Sequence, residues 1–248
     1  MNPSDDTLSQ ILRPDAAPPN VNSMEPAARL VEKAPTKWSW VPVRSLAPRH
    51  RIRIVAHLLK LDSHDRYLRF GYPATDAQIS KYVDMVDFDH DEVFGIFNRR
   101  LELVALAHLA HPSKDADPQR PAMSEFGVSV LAESRGRGFG ARLFEHAMLH
   151  ARNRGVQTLF IHALSENTAM LNIARSAGAT VERSGSESEA WLKLPSDTLA
   201  SHAEEVVVEQ AAEIDYRLKL HARQVSEILG TLSEVKTHIS KAVSMLDD

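Results

Sequence analysis

The feature that most constrains this chain is a glycine-arginine turn, Arg135-Gly136-Arg137-Gly138-Phe139-Gly140-Ala141-Arg142, set between a strand pattern and a helix pattern. Upstream, Glu125-Phe126-Gly127-Val128-Ser129-Val130-Leu131 reads as a buried strand. Downstream, Leu143, Phe144, Ala147, Met148 and Ala151 recur at helical spacing until Gly155. Glycine permits left-handed backbone, so successive N–H groups can converge on one point. The helix start adds unpaired donors and the positive end of its dipole. With Arg135, Arg137 and Arg142 beside it, the turn predicts a site for a phosphate or pyrophosphate. A tight turn with no ligand is the plainer alternative.

Two familiar phosphate loops do not fit. The P-loop pattern G-x-x-x-x-G-K-S/T is absent, and Gly136-x-Gly138-x-Gly140 lacks the spacing of the dinucleotide fingerprint. The turn instead resembles the Gln/Arg-x-x-Gly-x-Gly/Ala loop of the GNAT superfamily of N-acetyltransferases, filled here by Arg135, Gly138 and Gly140. Asn167, followed by a glycine at Gly178, is similar to a second segment of that family, in which the Asn meets the pantetheine arm. Met170 and Ala179 depart from the family's usual Ala and Phe there.

The flanks are read from their own chemistry. Residues 1–37 hold repeated prolines and no hydrophobic period, which predicts a disordered leader. A first strand is expected over Trp38-Ser39-Trp40-Val41-Pro42-Val43. A helix is expected from Pro48 with Ile52, Ile54, Val55, Leu58, Leu59 and Leu61 as its apolar stripe. Arg66 to Pro73 reads as a polar-aromatic connector, and Thr75-Asp76 as the cap of a second helix. Two strands follow, over Val93 to Asn98 and Leu101 to Leu109, and then a loop from Pro112 to Pro121. Beyond the central turn come a strand at Thr158 to Leu164, a helix capped around Asn167, and a closing strand pair over Ala179 to Arg183 and Ser188 to Leu194. The resemblance covers residues 38–196 and implies an α/β (α+β) fold: a mixed, mostly antiparallel sheet flanked by helices, splayed between its fourth and fifth strands.

After Pro195 the character changes. Val207, Ala211, Ile214, Leu218, His221, Val225, Ile228, Leu232, Val235, Ile239, Ala242 and Leu246 recur in steps of four and three. That heptad seam predicts a long coiled-coil-like helix over 199–248 and a homo-oligomer through residues 207–246. A helix folded back onto its own domain is the alternative, and Gly230 is a candidate break.

The family resemblance implies acetyl-CoA as co-substrate and a primary amine as acceptor, with a protein lysine or a small molecule both open. Its cofactor contacts map onto Val128, Ser129 and Val130 on the strand, the loop from Arg135 to Ala141, and Asn167. Glu125 is the first candidate for the general base and His162 the second. The tyrosine that many members use to protonate the thiolate is Ala174 here, so a water, Tyr67 or Tyr72 would have to serve. That loss keeps a non-catalytic acyl-CoA sensor or scaffold in view. No metal is expected: His146 and His150, four apart, fall away from the apolar stripe of their helix and are read as solvated.

Charge and composition exclude other classes. A formal net charge of −4 lacks the basic footprint of a nucleic-acid binder. No apolar run reaches the length of a membrane span, and the acidic start lacks a signal peptide's pattern. Cysteine is absent, which removes disulfides, thiolate metal sites and a cysteine nucleophile. Together these features predict a cytoplasmic location, without membrane or nucleic-acid partners.

Overall fold

The computed structural model describes residues 41–111 and 122–244, with side chains described to residue 223. The predicted leader, Trp38 to Trp40, the loop from Pro112 to Pro121 and the heptad side chains from Val225 onward lie outside those limits. Seven strands make one sheet in the order β1-β2-β3-β4-β5-β7-β6. They are β1 Arg44–Ser45, β2 Glu92–Phe97, β3 Leu103–Ala110, β4 Met123–Val130, β5 Thr158–Leu164, β6 Thr180–Ser184 and β7 Glu187–Lys193. The helices are α1 Arg51–Leu59, α2 Ser63–Phe70, α3 Asp76–Met85, α4 Phe139–Asn153, α5 Thr168–Ser176 and α6 Leu199–Ser244. Neighbouring strands are antiparallel except β4 and β5, which run parallel. This is the mixed, mostly antiparallel α/β arrangement expected.

The parallel pair is what makes a cleft. β4 and β5 pair only from Met123↔Thr158 to Glu125↔Phe160. Beyond Glu125, β4 stays with β3 as far as Val130↔Ala105, while β5 stays with β7 as far as Leu164↔Glu187. Each strand keeps its outer partner and loses its inner one, so the sheet forks. Behind the fork α4 lays Leu143, Phe144, Ala147 and Ala151 on the sheet, all buried. Phe144 meets Phe126 of β4 edge-on, with ring centres 5.0 Å apart. Burying such aromatic pairs is the main favourable term holding a helix to a sheet.

Several expectations need correcting. The first strand is not at Val41 to Val43 but at Arg44–Ser45, where the backbone pairs with Gly95 and Phe94 of β2. Ile52 is 78% exposed and lies off the buried stripe of α1, whose inner face carries Ile54, His57 and Leu58. The connector at Arg66 to Pro73 is largely helix α2. Asp62 accepts the Asp65 N–H at its start, and Gly71, at φ 78°, closes its end. Helix α3 begins with the predicted Thr75, whose hydroxyl accepts from Gln78 N while the Gln78 side chain accepts from Thr75 N.

The tail folds back, but not on its seam. Helix α6 runs unbroken through Gly230. Thr198 accepts the Ser201 N–H at its start, and Ser201 bonds Asn153 of α4 in both directions. Further along, Ala212 is buried, Glu213 pairs with Arg44 at 2.9 Å, and Tyr216 takes a hydrogen bond from Arg53 at 2.9 Å while Arg44 stacks on its ring. The seam residues Val207, Ile214 and Leu218 stay exposed, at 67%, 58% and 64%. Among the described residues no helix is long and apolar enough to cross a membrane.

Candidate active site

Helix α4 starts without a side-chain cap. Its N-cap is Gly138 at φ 75°, and Gly136 two residues earlier is at φ 73°. The first helical bond runs from Arg142 N to Gly138 O, so the N–H groups of Phe139, Gly140 and Ala141 have no intrahelical acceptor. These donors open into a cavity of about 460 Å³. Gly140 also lets α5 come close, because a Cβ there would lie 3.1 Å from Ile173 Cδ1. Of the loop positions singled out in the sequence, Arg135, Gly136, Gly138, Phe139, Gly140 and Ala141 line this cavity. Arg137 is exposed and does not. Arg135 is tethered: it forms an ion pair with the buried Asp65 of α2 and donates to Val130 O at 3.2 Å.

From the helix start the cavity follows the free edge of β4, taking in Val128, Ser129, Val130 and Asn167. Leu131 N donates to Val104 O of β3. By the two-residue alternation of a strand, Val128 and Val130 turn their N–H groups the other way, into the fork. The Ser129 side chain is spoken for. His57 Nδ1–H donates to Leu103 O at 2.9 Å, leaving Nε2 to accept the Ser129 hydroxyl at 2.8 Å. Burial lowers the His57 pKa to about 4, which keeps that tautomer neutral. Asn167 caps α5 by accepting Met170 N at 3.2 Å, and Ala174 is buried.

A second, smaller cavity of about 170 Å³ adjoins the first, sharing Leu68, Arg69, Val128, Asn167 and Met170 with it. Both candidate bases, Glu125 and His162, line this space. Glu125 occupies the last paired rung before the fork. It is exposed. His162 is also exposed and lies 3.5 Å from a Glu187 oxygen. Tyr67 and Tyr72 line neither cavity.

Away from the fork the structure overturns the reading of His146 and His150 as solvated: both are buried, with Phe94 of β2 packed 4.7 Å from each ring. Burial, then His150 and Arg142, push the His146 pKa down to about 3. His150 Nδ1 lies 3.0 Å from Glu92 and 3.1 Å from Glu205 of α6. Burial opposes ionisation of Glu92, yet its bonds with His111 and His150 and the charge of Arg154 bring its pKa to about 2. His150, Glu205 and Glu209 each place a ligand-type atom within 4.8 Å of the others. Glu205 and Glu209 also bond Asn153 and Ser45. The carboxylate that buries this helix face lies on β2, 58 residues before His150, so helical spacing alone could not show it.

A parallel fork in a mostly antiparallel sheet, beside an uncapped helix start opened by two left-handed glycines, makes a cleft with backbone donors for an anion at one end. The family model for acetyltransferases of the GNAT family matches residues 58–179, and the domain built on those residues belongs to that family. It is accordingly an N-acetyltransferase domain. Among solved structures, the GNAT domain of S. lividans PAT is similar at 22% identity and a TM-score of 0.52, over 61% of this chain and 89% of that one. A protein of Acinetobacter baylyi ADP1, assigned as an acetyltransferase, is similar at 15% identity and a TM-score of 0.51, over 64% of this chain and 95% of that one. Both likenesses are of fold. No curated protein matches the chain.

Proposed function

We propose that the domain transfers the acetyl group of acetyl-CoA to a primary amine, with a protein lysine as the leading acceptor, by direct attack on the thioester. The observation that carries this reading is the uncapped α4 start opening into a cavity that runs along the forked edge of β4 to a second, carboxylate-bearing cavity. The pyrophosphate sits on the Gly136 to Ala141 donors, and the pantetheine arm passes Asn167. The thioester carbonyl accepts the Val128 N–H. Glu125 takes the proton from the acceptor ammonium, with His162 as the other candidate. The amine nitrogen bonds to the carbonyl carbon, and charge on its oxygen is held by the strand donor. The C–S bond then breaks, the nitrogen sheds its remaining extra proton to water, and the thiolate takes one from water, since Ala174 has no hydroxyl and that of Ser129 is engaged by His57. The exposure of Glu125 and His162 suits an amine on a side chain of another protein.

The exposed seam residues Val207, Ile214 and Leu218 support a further part of this reading, a homo-oligomer joined through residues 207–246. Sedimentation of the full chain against an Ile214→Asp/Leu218→Asp variant tests it: the account expects the variant to become monomeric, and equal sedimentation contradicts it. The reaction is tested by calorimetric titration with acetyl-CoA, followed by CoA release on adding amines. Micromolar binding with amine-dependent release supports an enzyme. Binding without release on any amine favours a sensor or scaffold that uses the same cavity and the exposed α6 seam. An absence of binding overturns both.

A further inference from the structure

Arg69, near the end of α2, stands in the wall common to the two cavities. Strand β4 makes room for it. At Gly127 a Cβ atom would lie 2.9 Å from Arg69 Cζ, 3.0 Å from Nη2 and 3.1 Å from Nη1, so only a residue without a side chain lets the guanidinium lie against the strand there. The group is also clamped. Its Nη2 donates to the Tyr82 hydroxyl at 2.8 Å, Tyr82 donates to His108 Nδ1 at 2.7 Å, and His108 Nε2–H donates to Asp91 at 3.0 Å. The Tyr82 and Phe70 rings flank the cation at 5.5 and 5.2 Å. Four side chains thus hold one guanidinium in a single orientation.

The clamp ends on Asp91 but places no carboxylate against the guanidinium itself. Among the described residues Arg69 forms no ion pair, and its Nε is buried with no hydrogen-bond partner. Other arginines nearby are neutralised: Arg66 pairs with Asp76 and Arg135 with Asp65. A partly buried cation without a carboxylate is costly unless a ligand completes it, and a rigid guanidinium fork matches a carboxylate in particular. Glu125 and His162 lie in the same small cavity, so the site offers a carboxylate to an ammonium and a guanidinium to a second, negative group.

We infer that Arg69 selects a substrate carrying a carboxylate, either at the far end of the acyl chain on CoA or beside the reacting amine of the acceptor. The inference rests on the acyl-CoA reading of the larger cavity. It makes Arg69 a specificity-determining residue and Tyr82, His108 and Asp91 its positioning residues.

The test separates the two sources with matched pairs on the full chain. Succinyl-CoA and butyryl-CoA differ in a terminal carboxylate and are compared by calorimetry. L-lysine and L-lysinamide differ only in the carboxylate beside the α-amine and are compared as acceptors by kcat/KM with acetyl-CoA. The expected result is a preference of about tenfold or more for the carboxylate member of one pair, which names the source. That preference falls to within about twofold in Arg69→Gln and returns in part in Arg69→Lys. Tyr82→Phe keeps the ring and removes the anchor. It is expected to lower the preference with little change in melting temperature, which covers the case of a poorly folding Arg69→Gln. Equal treatment of both pairs by the wild type, or a preference that survives in Arg69→Gln, overturns the inference. If the wild type binds no CoA ester at all, the acyl-CoA reading itself fails, and that outcome is distinct from binding without discrimination.

Discussion

Helices α3 and α4 begin in opposite ways, and the difference separates a structural end from a functional one. At α3, Thr75 has φ −76° and ψ 161°, the extended geometry from which a side chain folds over the first turn and satisfies a donor. At α4, Gly138 has φ 75° and ψ 10°, and no side chain bonds the first turn. Helix α2 is capped by Asp62 and α5 by Asn167, so the chain has the means to close helix starts and uses them elsewhere. An uncapped start facing bulk water would only lose about 1 kcal/mol. One facing a cavity of about 460 Å³ beside a forked sheet offers its donors and dipole to an anion.

The comparison breaks most visibly at Gly138. Gly138→Glu puts a Cβ atom in the left-handed region and a carboxylate where the pyrophosphate should sit. Acetyl-CoA affinity is expected to fall by at least about 100-fold in calorimetry, and retained affinity would mean that the α4 start is only a turn.

Glu125→Gln is next in size and acts on rate. If Glu125 takes the amine proton, kcat falls by about 10²–10⁴-fold while the affinity for acetyl-CoA stays. A kcat within about twofold of wild type would transfer the role to His162 or to water.

A third effect concerns acid rather than the ligand. Burial holds His146 at a pKa of about 3 and His57 at about 4, against an ordinary 6.5. Between those values the unfolded chain binds more protons than the folded one. Their contribution is therefore intact above about pH 6.5 and is lost as pH falls toward 3 to 4. Glu92, at about 2 against 4.5, adds stability present above about pH 4.5 and lost as pH falls toward 2. All three act in the same direction. The melting temperature is expected to drop between pH 7.5 and 5 by several degrees, roughly 3–8 °C. His146→Leu, which removes a buried Nε2 without a partner, should narrow that drop; an unchanged drop contradicts the assignment.

Thr75→Ala is the smallest and the sharpest contrast with Gly138. It should cost about 1 kcal/mol in denaturant unfolding and leave acetyl-CoA affinity unaltered, because the α3 cap serves only its own helix.

Legibility followed the range of the interactions. The central turn, β5 and the Asn167 cap of α5 are specified by residues within a few positions of one another, and each lies where local pattern put it. Helix α2 was hidden because its only buried residue is Asp65, leaving no apolar stripe to read. His146 and His150 looked like polar outer positions because Glu92 and Phe94, which cover them, come from a distant strand. The same holds for Arg69: nothing in Arg66-Tyr67-Leu68-Arg69 points to Gly127, and the contact exists only because β4 and α2 meet. In α6 the heptad steps pick out Val207, Ile214 and Leu218, which stay exposed, while the face that docks onto the domain, from Ser201 through Ala212 to Tyr216, mixes small and polar residues and gave no signal.

The most direct test of the central claim is the backbone amide spectrum of the full chain during titration with CoA. The account predicts that the largest shifts fall on Gly136, Gly138, Phe139, Gly140 and Ala141, with smaller ones along Val128 to Val130. Shifts confined to other parts of the chain, or none at saturating CoA, would contradict it.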